Sequence, residues 1–355
     1  MNKQQQIVIA GIMSGTSLDG LDVAFCRFFC ENEKYDFEIL AAQTIAYDDD
    51  LRKKLGTAHL LDAVEFSKLH NEFGNFIGKQ ILHLADKFKI TPHYIASHGH
   101  TVIHQPEKQL TVQIGNGAVI AAQTRINTVC DFRTADVAQG GQGAPLVPFG
   151  DIHLFNQYDA ALNLGGFSNI SIIKNKPVTA FDISPVNIVL NSLAKNKGHE
   201  FDMNGNMAAS GKINADLLSN LIQINNNQSK HKVSLSREWV EQHINPILHN
   251  TDTSIFNLLR TFTEYAAISI AQVMNDFNIK TCLVTGGGAL NAFLLDCIRT
   301  HTSTQIVLPE KQIIEFKEAI IFAFLGLRRI QEKINVLSSV TGASRDTSSG
   351  IIWKA

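Results

Sequence analysis

The sequence predicts a two-domain α/β protein built by duplication of one strand-rich unit. Its 355 residues suit about two domains of ordinary size. Short apolar strands alternate with helical faces, the pattern of helices layered on sheets. One motif (strand, Gly/Ser-rich turn, strand, turn, strand) occurs twice, about one domain length apart.

Taken in order, residues 6–12 form an apolar strand. Leu21, Val23 and Phe25 then alternate with Asp22, Ala24 and Cys26, the period of a half-buried strand. A polar turn, residues 14–20, separates the two, and residues 37–45 supply a third strand. The second copy places strands at 160–164, 170–173 and 178–181. Its turns are Gly165-Gly166-Phe167-Ser168-Asn169 and Asn175-Lys176-Pro177. Helices follow each copy. Leu69, Phe73, Phe76, Ile77, Ile81 and Leu84 share one face, as do Ile255, Leu258, Leu259, Phe262, Tyr265, Ile268 and Val273. Further strands are expected at 94–97, 110–114, 282–285 and 305–308, and 225–229 reads as a solvent loop. The expected domains are 1–129 with 336–355, and 130–335. Between such halves lies a cleft where small ligands bind.

Composition excludes several classes. With 45% hydrophobic and 18% charged residues the chain has material for real cores. Its 31 basic and 33 acidic residues leave a net charge of -2, which suggests neither a nucleic-acid nor an anionic-membrane partner. The cysteines, Cys26, Cys30, Cys130, Cys282 and Cys297, are odd in number and form no CxxC pair, which fits a reducing compartment. Residues 7–10 lack the flanks of a signal peptide, and the apolar run 319–327 is far shorter than the ~20 residues of a membrane helix. A cytoplasmic protein is expected.

Six segments could carry chemistry. In the turn after Gly11, glycines let backbone approach phosphates while hydroxyls donate and a carboxylate holds hydrated Mg²⁺. The same residues also suit a plain polar turn. Gly165-Gly166 occupies the equivalent place in the second copy. Gly286, Gly287 and Gly288 at a strand-to-helix corner leave flat space for an adenosine. Arg133 offers a fork for a carboxylate or phosphate, with a surface ion pair to Asp131 or Asp136 as the alternative. Asp182 reads as the end of a strand, either a general base or, favoured by position alone, a helix N-cap. His98, His100 and His104 lack the remaining ligands of a zinc site; His98 is expected to make polar contacts and the other two to lie at the surface.

Together these segments resemble the anhydro-N-acetylmuramic acid kinase family of the actin and hexokinase superfamily. The resemblance rests on MSGTSLDG at 13–20, SHGHTV at 97–102, TVQIGNGAVIA at 111–121 and DFRTADVAQGGQGAPLVP at 131–148. LNLGGFSNIS at 162–171, AASG at 208–211, TGGGALN at 285–291 and VTGAS at 340–344 complete it. It implies two duplicated actin-like (ribonuclease H-like) domains around an interdomain ATP and substrate cleft. It also implies ATP, Mg²⁺, an anhydro amino sugar substrate and a second copy in a homodimer.

The implied reaction opens the 1,6-anhydro ring and phosphorylates O6, in peptidoglycan recycling. Asp182 matches the base that activates water, which reverses the reading from position alone, and Glu318 matches a glutamate near the active site. Gly15, Thr16, Ser17, Leu18, Asp19, Gly20, Leu21 and Asp22 would meet the ATP phosphates with Gly165 and Gly166. Gly286, Gly287 and Gly288 would underlie the adenosine. His98, Asp131 and Arg133 match the substrate side, with Arg133 suited to the lactyl carboxylate. The chain departs from the family pattern Asp-Thr-Gly-Pro-Gly-Asn at Asp182-Ile183-Ser184-Pro185-Val186-Asn187, which is expected to narrow the space beside the base. His100 replaces a Gln, Asn116 an Asp, and Asn191 stands where an Asp is common. The rival readings are a kinase for a related amino sugar and a non-catalytic ATP-binding module.

Overall fold

The structure, a computed structural model, describes residues 6–15, 17–175, 177–229 and 235–355. Thr16 and Lys176 lie outside the described residues. The chain divides into two compact units, Met1–Leu154 with Phe316–Ala355, and Phe155–Glu315.

Unit 1 is built on β1 (Ile7–Ser14), β2 (Gly20–Glu31), β3 (Lys34–Ala46), β4 (Tyr94–Gln105), β5 (Leu110–Ile114), β6 (Thr128–Cys130) and, near the C-terminus, a last strand Ile351–Trp353. Unit 2 contains β7 (Ala160–Leu164), β8 (Phe167–Ile172), β9 (Thr179–Pro185), β10 (Thr281–Thr285) and β11 (Gln305–Val307); the last strand of unit 1 is therefore β12. The first sheet runs β12-β6-β4-β1-β2-β3 with β5 on β4, the second β11-β10-β7-β8-β9. In each, the first three strands form an antiparallel meander, and the first strand also pairs in parallel with a fourth. That fourth strand pairs in parallel with the next. The duplication read from the sequence is thus a duplication of topology, two ribonuclease H-like sheets of the actin-like class.

Tight turns join the antiparallel strands, whereas parallel neighbours require long crossovers. In unit 1 that crossover contains the helix Ala63–Phe88, capped by Asp62, whose carboxylate accepts from the Val64 and Glu65 amides. Its expected face is buried through Leu69, Phe73, Ile77, Ile81 and Leu84 against Ile12, Val23 and Phe25. In unit 2 the helix Ile255–Asp276 buries Leu259, Phe262 and Tyr265 against Leu162, Ile170 and Val284.

The division falls elsewhere than the expected 1–129/336–355 and 130–335. Residues 130–154 and 316–335 belong to unit 1 because the sheet recruits them. β6 lies between β4 and β12. The helix Lys311–Ile330 lies so close to β1 that a Cβ on Gly11 would stand 2.0 Å from the Ala319 carbonyl oxygen. Two further expectations give way. Residues 225–229 continue the helix Ala215–Ser229 instead of forming a loop. The second copy's turn is only Gly165-Gly166, since β8 begins at Phe167. Among the described residues no helix is long and apolar enough to cross a membrane.

Candidate active site

In unit 1, β1 stops at Ser14 and β2 starts at Gly20. Glycine is required at 20, where a Cβ would meet the Ile45 carbonyl oxygen at 2.6 Å. Within the turn, Ser17 Oγ donates to Asp19 Oδ1 (2.8 Å) and Leu18 adopts a left-handed φ of 58°. Asp22 Oδ1 accepts from Thr44 Oγ1 at 2.5 Å. Leu21 is fully buried in the core, so its side chain is not available to a nucleotide and only its backbone remains. The turn therefore presents backbone, hydroxyls and carboxylates, the groups that suit a polyphosphate and a hydrated Mg²⁺.

Beside it runs β4, whose register against β1 shifts between Ile12, paired with Ser97, and Ser14, paired with His100. Gly99 makes the shift possible. Its φ is 75°, and a Cβ there would lie 2.3 Å from the Ile114 carbonyl oxygen. His98 Nε2 accepts from Arg133 Nε (2.9 Å), and its Nδ1 faces the Gly99 carbonyl at 2.9 Å. Because the guanidinium can only donate, the proton sits on Nδ1 and the ring is neutral. Burial first, and Arg133 second, hold His98 well below the ordinary histidine range. Both ring nitrogens are thereby occupied, which leaves no lone pair for a metal. His100, expected at the surface, is buried and bonded to Ser14 Oγ at 3.1 Å. The periodicity of a regular strand cannot reveal a side chain redirected by a register shift.

Arg133 makes neither of the expected aspartate pairs. Its Nη1 donates to the Gly143 carbonyl (2.6 Å), while the Gly143 amide donates to buried Asp136 (2.7 Å). Asp136 also accepts from Thr341 Oγ1 at 2.7 Å. Burial lowers Arg133 to about 10, against the favourable charge of Glu318, so the guanidinium stays charged at neutral pH. Glu318 in turn is raised by burial, which outweighs the pull of Arg133 and Lys317. Lys317 forms a buried ion pair with Asp151 (3.1 Å) that sequence reading missed, for nothing local marks Asp151 as its partner. Asp131, at φ 58°, accepts from the Thr134 amide and joins His98, His70, Asn116, Cys130 and Trp353 around a cavity of ≈ 200 Å³.

In unit 2 the two glycine segments adjoin. A Cβ on Gly286 (φ 82°) would meet Asn163 Oδ1 at 2.5 Å and the Leu164 carbonyl carbon at 2.9 Å; one on Gly288 would meet Leu164 Cβ at 2.7 Å. Gly287 and Gly166 face open space apart from Asn187 and Ile188, each near 4 Å. The Gly165 carbonyl accepts from the Asn187 amide at 3.3 Å. Asn291 caps the helix Ala292–His301 by accepting from the Leu294 amide.

Asp182 neither ends a strand nor caps a helix. It lies within β9 opposite Asn169, and the next helix has Val186 at its N-cap without a side-chain bond. Its Oδ2 accepts from the Leu235 amide at 3.1 Å. Of the altered residues beside it, Ile183 and Val186 are buried in the apolar core, and Ser184 Oγ sits 3.0 Å from Ser168 Oγ, both fully buried. The register shifts here, Ser168 pairing with Ser184 and Asn169 with Asp182, so Ile183 is the extra residue of a bulge.

The sequence profile of the anhydro-N-acetylmuramic acid kinase family matches residues 7–355. An anhydro-N-acetylmuramic acid kinase of Vibrio parahaemolyticus is 32% identical, over 97% of this chain and 97% of its own length. That of Sulfurovum sp. is 33% identical over 99% and 100%. That of Francisella tularensis subsp. novicida is 34% identical over 94% and 95%. With a match spanning almost every described element of both units, this chain belongs to the anhydro-N-acetylmuramic acid kinase family.

Proposed function

We propose that the chain transfers the γ-phosphoryl group of ATP to O6 of 1,6-anhydro-N-acetylmuramic acid while water opens the anhydro bridge. The whole-length kinship carries this reading, and the site residues give it chemistry. Water adds to C1 as the bond from C1 to the bridging oxygen breaks. That oxygen, retained on C6, attacks the γ-phosphorus, and ADP departs. Asp182 takes the proton of the attacking water; its position on a paired strand, fixed by the Leu235 amide, suits a base that must not wander.

Gly15 to Asp22, with Thr16 among them in the proposal, serve the phosphates, and so do Gly165 and Gly166. Gly286, Gly287 and Gly288 underlie the adenosine. Ser17, Asp19 and Asp22 offer the hard oxygen donors that suit Mg²⁺, which neutralises phosphate charge when bound. Arg133, its Nε and Nη1 already engaged, presents its remaining N–H groups to the lactyl carboxylate. His98 and Asp131 line the sugar side. Glu318, its carboxyl raised by burial against the pull of Arg133 and Lys317, is placed on the Arg133 side of the reacting centre. A cytoplasmic homodimer belongs to the same reading.

Incubation with ATP, Mg²⁺ and the anhydro sugar, read by mass spectrometry, tests it. Product carrying both phosphate and water is expected. Phosphate without water indicates a plain amino-sugar kinase, and nucleotide binding without product a regulatory module.

A further inference from the structure

Among the described residues, the tip of the unit 1 turn is held by the short bond from Ser17 to Asp19 and by one long backbone bond. Its internal backbone bond, from the Leu18 amide to the Gly15 carbonyl, is 3.4 Å long. Its roots are held far better. Ser14, 1% exposed, receives the Tyr47 hydroxyl at 2.7 Å and lies 3.1 Å from His100 Nδ1. With the Tyr47 hydroxyl donating to it, the Ser14 hydroxyl proton finds its acceptor among the described residues in His100 Nδ1, and the histidine then carries its own proton on Nε2. Phe73, from the helix Ala63–Phe88, packs edge-on against both Tyr47 (6.1 Å) and His100 (6.4 Å). The other root, Asp22, is bonded by Thr44, three residues before Tyr47.

We infer that Tyr47 and His100 are positioning residues for nucleotide binding: by fixing the Ser14 hydroxyl from both sides they set the direction in which the phosphate turn leaves β1. The inference rests on the reading that this turn meets the ATP phosphates. Neither side chain touches the nucleotide. Each acts through one oxygen atom, and a hydrogen bond at that oxygen matters only for ligands that reach the turn.

The test is calorimetric binding of ATP with Mg²⁺ and, separately, of adenosine. His100→Phe keeps the ring and its packing on Phe73 but removes the acceptor. It is expected to weaken ATP on the order of tenfold, the value of one buried hydrogen bond, and to leave adenosine unchanged. His100→Gln, which restores an acceptor, should recover ATP affinity to within about threefold. Tyr47→Phe should lose ATP affinity in the same selective way, and it carries the test should His100→Phe not fold. Parental ATP affinity in both, or an equal loss for adenosine, overturns the inference. Gly15→Val separates the two levels of the argument: if ATP still binds it as tightly as the parent, the phosphate reading of the turn is what fails.

Discussion

Two turns at equivalent places in the duplicated topology are supported by opposite means. The β1–β2 turn of unit 1 hangs on polar side chains: Tyr47 and His100 on Ser14, Thr44 on Asp22, Ser17 on Asp19. The β7–β8 turn of unit 2 has only Gly165 and Gly166, and the neighbouring Gly286 and Gly288 fit because no side chain would. One architecture can thus bring backbone to a ligand either by bonding a long turn at its roots or by emptying a short one of side chains. Unit 1 is therefore sensitive to lost polar atoms, and unit 2 to added volume.

The largest effect should come from the single acid in unit 2 assigned to the chemistry. Asp182→Asn is expected to lower kcat by about 10²–10⁴-fold, the usual worth of a general base, with ATP affinity held near the parent's by calorimetry. Parental turnover would remove Asp182 from the reaction. Next, Arg133→Lys should raise KM for the sugar by about tenfold or more, since a point charge cannot keep both the His98 and Gly143 bonds and still present a fork. A rise in KM for ATP instead would place Arg133 on the wrong substrate.

The glycines give a sharper internal contrast. Gly286→Ala meets oxygen and carbon below 3 Å at a positive φ and should cost roughly 2–4 kcal/mol in denaturant unfolding. Gly166→Ala, whose nearest neighbour would be Ile188 Cβ at 3.8 Å, should cost about 1 kcal/mol or less. Equal costs would break the claim that unit 2 is limited by volume.

The smallest effect is one of pH. Burial lowers His100 and His153, both in unit 1, to about 4. Between roughly pH 6.5, the ordinary value, and about 4, the unfolded chain binds protons that these folded residues refuse. Stability is accordingly present above that window and falls as pH drops through it. Hydrogen exchange at acid pH should show β1 and β4 losing protection before β7 and β10. The reverse order would mean that other groups govern acid unfolding.

Much of the fold was legible because its signals are local. Alternation from Leu21 to Cys26 and the helical face from Leu69 to Leu84 survive any arrangement of neighbours, and β5 and β7 begin and end where the pattern places them. The domain boundary was not legible, since β6 and residues 316–330 of the helix Lys311–Ile330 join unit 1 through partners distant in sequence. Nor were the fates of His100 and Asp182, each beside a register shift. Asp182 was assigned through kinship, whereas position alone favoured the cap it does not form.

By itself, then, the sequence determined the duplicated α/β plan, the glycine-bearing turns and the residue types from which a phosphoryl-transfer site is made, because periodicity and glycine act within a few residues. Only the tertiary structure decided that a register shift at Gly99 sends His98 to Arg133 and His100 to Ser14, and that Ile183, Ser184 and Val186 beside the acid are buried. Those outcomes depend on which strand lies alongside and on what fills the space behind it, and both are set by atoms far away along the chain.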